Sequence, residues 1–219
     1  MYVKDEMTFK PLTINPGQSV SEAVDLMKAK DFHRLPVVDH DNKLVGLVTE
    51  TTISKNTPSS SSTLSVYELN YLLNKLTIND VMIKDPVSVG PEALLEEAAT
   101  LMQKNDIGCL PVVDEENKVV GIITHKDIFN AFVKLLGYHQ KNGTRYVINI
   151  SKDKVGVMED IAHCFVEEKI SISNLAVYNT SRGIEVVVIA SGRNSGKCGD
   201  RLKAQGYNVT SIMKLKKEA

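Results

Sequence analysis

The chain has 219 residues, of which 42% are hydrophobic and 24% charged, a globular composition sufficient for two ordinary domains or three small ones. A formal net charge of -1, the absence of Trp and only 5% aromatics exclude the basic, ring-rich surface that nucleic acids require. No apolar run approaches the roughly 20 residues of a membrane span, and residues 1–10, with Lys4, Asp5 and Glu6, lack an apolar signal core, so a cytoplasmic protein is expected.

From the start of the chain, Thr13 and Ile14 read as a short strand after a proline. A helix follows, with Val20, Ala23, Val24 and Met27 at helical spacing. Ser19 is its N-cap and Glu22, three residues on, completes a capping box. Leu35 to Val38 and Leu44 to Val48 are almost continuously apolar, as strands covered on both faces are. The polar, Asn-containing stretch 39–43 turns the chain between them, and a second helix closes the unit. Residues 57–63 (TPSSSST) have linker composition. Leu69, Leu72, Leu73 and Leu76 then predict an extra helix within 64–76, packed onto its own domain or, as the alternative, serving as a bridge or dimer contact.

The same pattern then recurs. Residues 31–53 (DFHRLPVVDHDNKLVGLVTETTI) match 106–128 (DIGCLPVVDEENKVVGIITHKDI) at an offset of about 75. Upstream, Met7, Pro11, Pro16, Ala23, Leu26 and Met27 recur as Met82, Pro86, Pro91, Ala98, Leu101 and Met102. Ser88 and Val89 take the place of Thr13 and Ile14, and Leu94, Leu95, Ala98, Leu101 and Met102 carry the helical spacing. One copy of about 50 residues buries too little core to stand alone, so the two copies are expected to cover each other's sheets.

Residues 137–143 (GYHQKNG) form a second linker. Tyr146, Ile148 and Ile150 alternate along a strand. Val157, Ile161, Cys164, Phe165 and Glu168 follow at helix spacing. Strands at 172–178 and 184–190 flank a turn at 179–183. A short helix at 200–205 stops at Gly206, and 209–215 is the last strand. Lys214, Lys216 and Lys217 read as a solvated end. The order βαββαβ is ferredoxin-like.

The expected class is therefore α+β, with repeat one at 1–56, linker and extra helix at 57–76, repeat two at 77–136, linker at 137–143 and a last domain at 144–219. His-Arg-Leu-Pro-Val at 33–37, Cys-Leu-Pro-Val at 109–112, Gly-Leu-Val-Thr at 46–49 and Gly-Ile-Ile-Thr-x-x-Asp at 121–127 resemble CBS domains. The pair resembles a Bateman module, with each copy expected as βαββα. Residues 150–178, with Gly156 at a helix start and Ile-x-Ile-x-Asn entering the next strand, resemble an ACT domain. Two CBS repeats and an ACT-like domain are together similar to the acetoin-utilisation B-type family.

That resemblance implies a non-catalytic, homodimeric regulator that binds an adenine-type ligand and acts on a partner enzyme or on its own oligomer. The ligands implied are AMP, ADP, ATP, cyclic di-AMP and S-adenosylmethionine. Thr124 and Asp127 read locally as a capping box. By the resemblance, Thr124 also contacts the sugar-phosphate and Asp127 the ribose hydroxyls, which a carboxylate can accept together. One main site is expected, with Val87, Ser88, Ile107, Gly108, Cys109 and Pro111 around the base, and Gly108 and Cys109 small enough to admit it. Lys126 and, from the first repeat, His33 and Arg34 would meet phosphate; from the residues alone, His33 and Arg34 also read as a solvated strand edge. In the first repeat Thr52 replaces Asp127 and Glu50 replaces His125, which weakens a sugar site there. The ACT resemblance implies an amino-acid effector at Asp153, Gly156, Val157, Ser173 and Asn174; the residues alone read as an ordinary capped helix start.

Catalytic and metal chemistry find no support. His33, His40, His125, His139 and His163 show no metal-ligand spacing, and no P-loop or nucleophile elbow occurs. His163 and Cys164 are adjacent on a helix and point apart. Cys109, Cys164 and Cys198 are too few and scattered for a disulfide framework. The alternative function is a ligand-independent dimeric scaffold with degenerate pockets.

Overall fold

A computed structural model of the chain describes residues 1–57, 71, 73–138, 143–150, 154–181, 183–192 and 195–215. It forms two compact units, Met1–Phe129 and Asn130–Ala219, each described by itself. Residues 58–63 of the expected linker and most of the extra helix lie outside the described residues. Leu73 and Leu76, which are described, pack on the core of the first repeat.

The first unit contains α1 (Val3–Glu6), β1 (Thr8–Phe9), α2 (Val20–Lys30), β2 (Arg34–Val38), β3 (Leu44–Thr49) and α3 (Glu50–Asn56). The second copy supplies α4 (Ile78–Val81), β4 (Ile83–Lys84), α5 (Leu95–Asn105), β5 (Cys109–Val113), β6 (Val119–Thr124) and α6 (His125–Leu135). α2 starts as its sequence predicts. Ser19 Oγ accepts the Glu22 N–H at 3.2 Å, and the Glu22 carboxylate accepts the Ser19 N–H at 2.8 Å. The helix buries Val20, Ala23 and Met27 against Leu35, Val37 and Val48. At its end Asp31 takes a left-handed conformation (φ 55°), as Asp106 does after α5 (φ 52°).

The sheets are crossed between the repeats, with orders β2-β3-β4 and β1-β6-β5. β1 of the first repeat pairs with β6 of the second, Thr8 opposite Ile122. β4 of the second pairs with β3 of the first, Leu47 opposite Ile83. The preceding turns cross over too. Val3 N–H donates to Ala93 O at 2.9 Å, and Ile78 N–H donates to Gln18 O at 2.8 Å. The two hairpin turns meet symmetrically: Asn42 Nδ2 donates to Val119 O and Asn117 Nδ2 to Leu44 O, both at 3.1 Å. The copies thus complete each other's sheets as well as covering them.

The crossing corrects the expected first strands. Thr13–Ile14 and Ser88–Val89 are not strands; Ile14 and Val89 each make one isolated parallel bridge, to Val37 and Val112. Ile14 donates to Pro36 O and accepts from Val38 N–H. Pro36 itself has no N–H to extend a ladder, and Pro111 repeats the arrangement by accepting from Val89. The true edge strands lie upstream, beyond Met7 and Met82.

Those methionines fix two glycines. A Cβ on Gly121 would run into the Met7 thioether, and one on Gly46 into the Met82 thioether and, at 3.1 Å, the Ile83 carbonyl. Gly121→Val is therefore expected to destabilise the first unit by about 1–3 kcal/mol through overpacking, read as a lower denaturation midpoint. An unchanged midpoint would contradict the lent strand.

The second unit contains β7 (Thr144–Ile150), α7 (Val157–Glu167), β8 (Ser171–Thr180), β9 (Gly183–Ser191), α8 (Ser195–Ala204) and β10 (Asn208–Lys214). Its antiparallel sheet has the order β10-β7-β9-β8, the ferredoxin-like arrangement. Tyr146, Ile148 and Ile150 face the helices, and the Tyr146 and Phe165 rings meet edge to face at 5.1 Å. α8 begins earlier than the sequence predicts. Two glycines, Gly196 and Gly199, weaken its local signal, but Cys198 and Leu202, one turn apart, are fully buried and anchor it.

Candidate functional site

Each repeat ends its second long strand at a threonine that opens a helix. At α6, Asp127 Oδ2 accepts from Thr124 N–H (2.8 Å) and Thr124 Oγ1 (2.7 Å). Both bonds fall on one carboxylate oxygen, so the capping role leaves Oδ1 uncommitted to it. At α3, Thr49 N–H donates to Thr52 Oγ1 at 2.9 Å. The single Thr52 proton goes to Thr49 O at 2.8 Å. The tips share a backbone design and differ in what they offer a ligand.

A cleft of about 440 Å³ opens beside the α6 tip, with Thr124, His125, Lys126 and Asp127 on one wall. The opposite wall is Thr8, Pro11 and Leu12, then Asp31 to Arg34, all from the first repeat. Phe32 (40% exposed) and Leu12 (39%) give it two apolar surfaces. A second cleft, of about 600 Å³, opens beside the α3 tip. It sets Thr49, Glu50, Thr52 and Lys55 against Asp85, Pro86 and Val87, with Asp106 to Cys109 closing it. His33 and Arg34 line both clefts.

The single site expected from the sequence is thus divided. Thr124, Lys126 and Asp127 share a cleft with His33 and Arg34, but Val87, Ile107, Gly108 and Cys109 line the other one. Ser88 and Pro111 line neither; Pro111 is buried within β5. The cause is the strand crossing, which carries residues 8–12 to the α6 tip and 83–87 to the α3 tip. Sequence reasoning missed Thr8, Pro11, Leu12, Asp31 and Phe32. The signal for three of them lay in the repeat: Pro11, Leu12 and Phe32 stand where Pro86, Val87 and Ile107 stand in the other copy.

Gly108 gains a second reason. A Cβ there would lie 2.9 Å from His125 Nδ1, so the approach of His125 also calls for a glycine. Its carbonyl is a junction that receives Arg34 Nη1 at 2.8 Å, His125 N–H at 3.1 Å and the His125 ring nitrogen at 3.1 Å. Cys109 is 4% exposed; burial pushes its thiol pKa up, and the Arg34 charge pulls the other way. His33 turns to Glu50, with Nδ1 and Oε2 3.0 Å apart.

In the second unit the expected effector set also separates. Gly156 caps α7 at φ 95°. Val157 lines a cavity of about 690 Å³ with Lys154, Asp160, His163 and Tyr207. Burial and the hydrogen bond to Asp160 (2.9 Å) hold the Tyr207 phenol up at about 12. Asn174 instead lines a cavity on the opposite sheet face with Val187 and Ile189. An irregularity between Ile172 and Asn174 pairs Asn174 with Ile189, while Val188 and Ala190 face the helices. The Asn174 amide donates to Leu135 O, and Ser173 Oγ donates to Ile189 O at 2.9 Å. Asp153 lies outside the described residues. Among the described residues no cluster is placed to hold a metal, and no helix is long and apolar enough to cross a membrane.

The CBS domain matches residues 3–57 and 78–134, half of the chain. The chain belongs to the CBS-domain family. Its CBS pair is 37% identical over 127 residues to a homoserine O-acetyltransferase of Methanohalobium evestigatum, covering 58% of this chain but 23% of that protein. The chain spans less than a quarter of the length of the first curated relatives it matches, and the enzymes among them match through the CBS part of a larger protein. Among solved structures, CBSX2 of Arabidopsis thaliana in complex with AMP is 30% identical at a TM-score of 0.52, covering 61% of this chain and 97% of that one. A putative acetoin utilization protein (AcuB) from Vibrio cholerae is 35% identical at 0.52, covering 63% and 93%. The CBS pair of MJ0100, in complex with 5-methylthioadenosine and S-adenosyl-L-methionine, is 30% identical at 0.51, covering 61% and 97%.

Proposed function

We propose that this protein is a non-catalytic regulator whose CBS pair binds an adenine nucleotide in the Asp127 cleft. The observation that carries the reading is the α6 tip. A carboxylate that caps Thr124 stands beside Lys126, across a cleft from the wall that holds Arg34 and the exposed Leu12 and Phe32. The carboxylate suits a ribose diol, the cations and the helix N-terminus suit phosphate, and the apolar pair suits a flat base. Related CBS pairs solved with AMP, methylthioadenosine and S-adenosylmethionine support an adenosine-type ligand. The site residues are accordingly Thr124, Lys126, Asp127, His33 and Arg34, with Leu12 and Phe32 added.

Occupancy passes to a partner enzyme or to the chain's own homodimer; Phe129 and Phe132, exposed on α6, offer a face for such contact. Residues 144–219 serve as an ACT-like regulatory domain, a reading favoured by the βαββαβ order and the β10-β7-β9-β8 sheet. The divided positions of Val157 and Asn174 weigh against the amino-acid site first expected there.

The test is thermal unfolding of the full chain with AMP, ADP, ATP, cyclic di-AMP, S-adenosylmethionine and amino acids, with sedimentation of the same samples. A ligand at 100-fold its Kd is expected to add about 2.7 kcal/mol, several degrees in Tm. No shift with any adenine compound would favour the scaffold alternative.

A further inference from the structure

We infer that each chain holds one phosphorylated nucleotide, and that Thr52 and Glu50 close the second cleft to it. The inference rests on the nucleotide reading above and concerns only the α3 tip.

The two tips differ in acceptor capacity. Asp127 caps α6 through Oδ2 and keeps a second oxygen for a diol. Thr52 has one oxygen, which already accepts from Thr49 N–H and gives its proton to Thr49 O. A ribose at α3 would find at most one remaining lone pair, already approached by Thr49 Oγ1 at 3.4 Å, and no second oxygen for its other hydroxyl.

Charge acts in the same direction. The α3 cleft sets Glu50, Asp85 and Asp106 against Arg34 and Lys55, whereas the α6 cleft sets Asp31 and Asp127 against Arg34 and Lys126 and adds His125. Glu50 stands at the helix tip, where its charge opposes a phosphate; the Glu50 and Thr52 N–H groups are already given to His33 O and Thr49 Oγ1, and Glu50 Oε2 lies 3.0 Å from His33 Nδ1.

Isothermal titration of the full chain with AMP tests this. The variants are Glu50→His/Thr52→Asp, Asp127→Asn, and all three substitutions together. Thr52→Asp recreates the cap that Thr124 and Asp127 already make, so the fold has a template for it. The wild type is expected to saturate at one AMP per chain and the double variant at two. Asp127→Asn is expected to bind at least about tenfold more weakly, and the triple variant to regain one tight site. Two AMP per chain in the wild type would overturn the inference and leave the nucleotide reading standing. So would one per chain in a double variant whose melting temperature is unchanged. If the double variant does not fold, the wild-type stoichiometry decides alone. A wild type that binds no AMP removes the nucleotide reading itself.

Discussion

Replacing Asp127 by Ala is expected to weaken AMP binding by about 10- to 100-fold. Hydrogen bonds to a charged group contribute roughly 1.5–3 kcal/mol each, and each 1.4 kcal/mol is about tenfold in Kd. The same carboxylate caps α6, accepting from the backbone and hydroxyl of Thr124. Its loss is therefore also expected to cost about 1 kcal/mol of stability. The two effects separate in Asp127→Asn, which keeps an acceptor for the Thr124 N–H and loses the charge. That variant should melt close to the wild type yet still bind AMP poorly. Titration below the melting range of both variants is the measurement. A folded Asp127→Ala chain with wild-type affinity for AMP would remove Asp127 from the site.

Sequence and structure agree where the determining interactions are local. The Ser19–Glu22 box, the Asp39 to Lys43 turn and the Thr124–Asp127 box each join residues a few positions apart, and each forms. Alternation in β7 likewise sends Tyr146, Ile148 and Ile150 to one core. What a repeat cannot reveal is which copy a short strand joins. Thr8 pairs with Ile122 and not with its own repeat, and a two-residue strand carries no periodicity to say so. The placement of Val87 in the other cleft, and of Thr8, Pro11 and Leu12 beside Asp127, follows from that pairing. The relation between Val157 and Asn174 was hidden for a similar reason. One irregularity in β8 shifts the side-chain alternation by a residue, and Ile-x-Ile-x-Asn carries no mark of it.

On the proposed reading, the crossing would let the cleft report its occupancy. Asp127 and Lys126 belong to the second repeat, while Leu12, Phe32 and Arg34 belong to the first. A ligand touching both walls adds contacts between the repeats, so it favours whichever arrangement brings the walls closest. That differential contact is what a population shift requires. A ligand held by one repeat alone would stabilise the protein without moving it.

Arg34→Ala is expected to separate phosphate recognition from base recognition. Arg34 donates to Gly108 O, but that carbonyl also receives the His125 N–H. The arginine can therefore leave it without orphaning a buried acceptor, at about 1 kcal/mol or less. Its forked donors are then free for a phosphate in the Asp127 cleft. Removing it should weaken AMP by about 10- to 100-fold and leave adenosine affinity nearly unchanged. Arg34→Lys should recover part of the loss, since it restores the charge without the fork. Raising salt should weaken AMP binding to the wild type more than to Arg34→Ala, because screening acts on the contact that the variant lacks. Parallel titrations with AMP and adenosine read the difference. An equal loss for both ligands would mean that Arg34 only braces Gly108, and the phosphate would then rest on Lys126 and the α6 N-terminus.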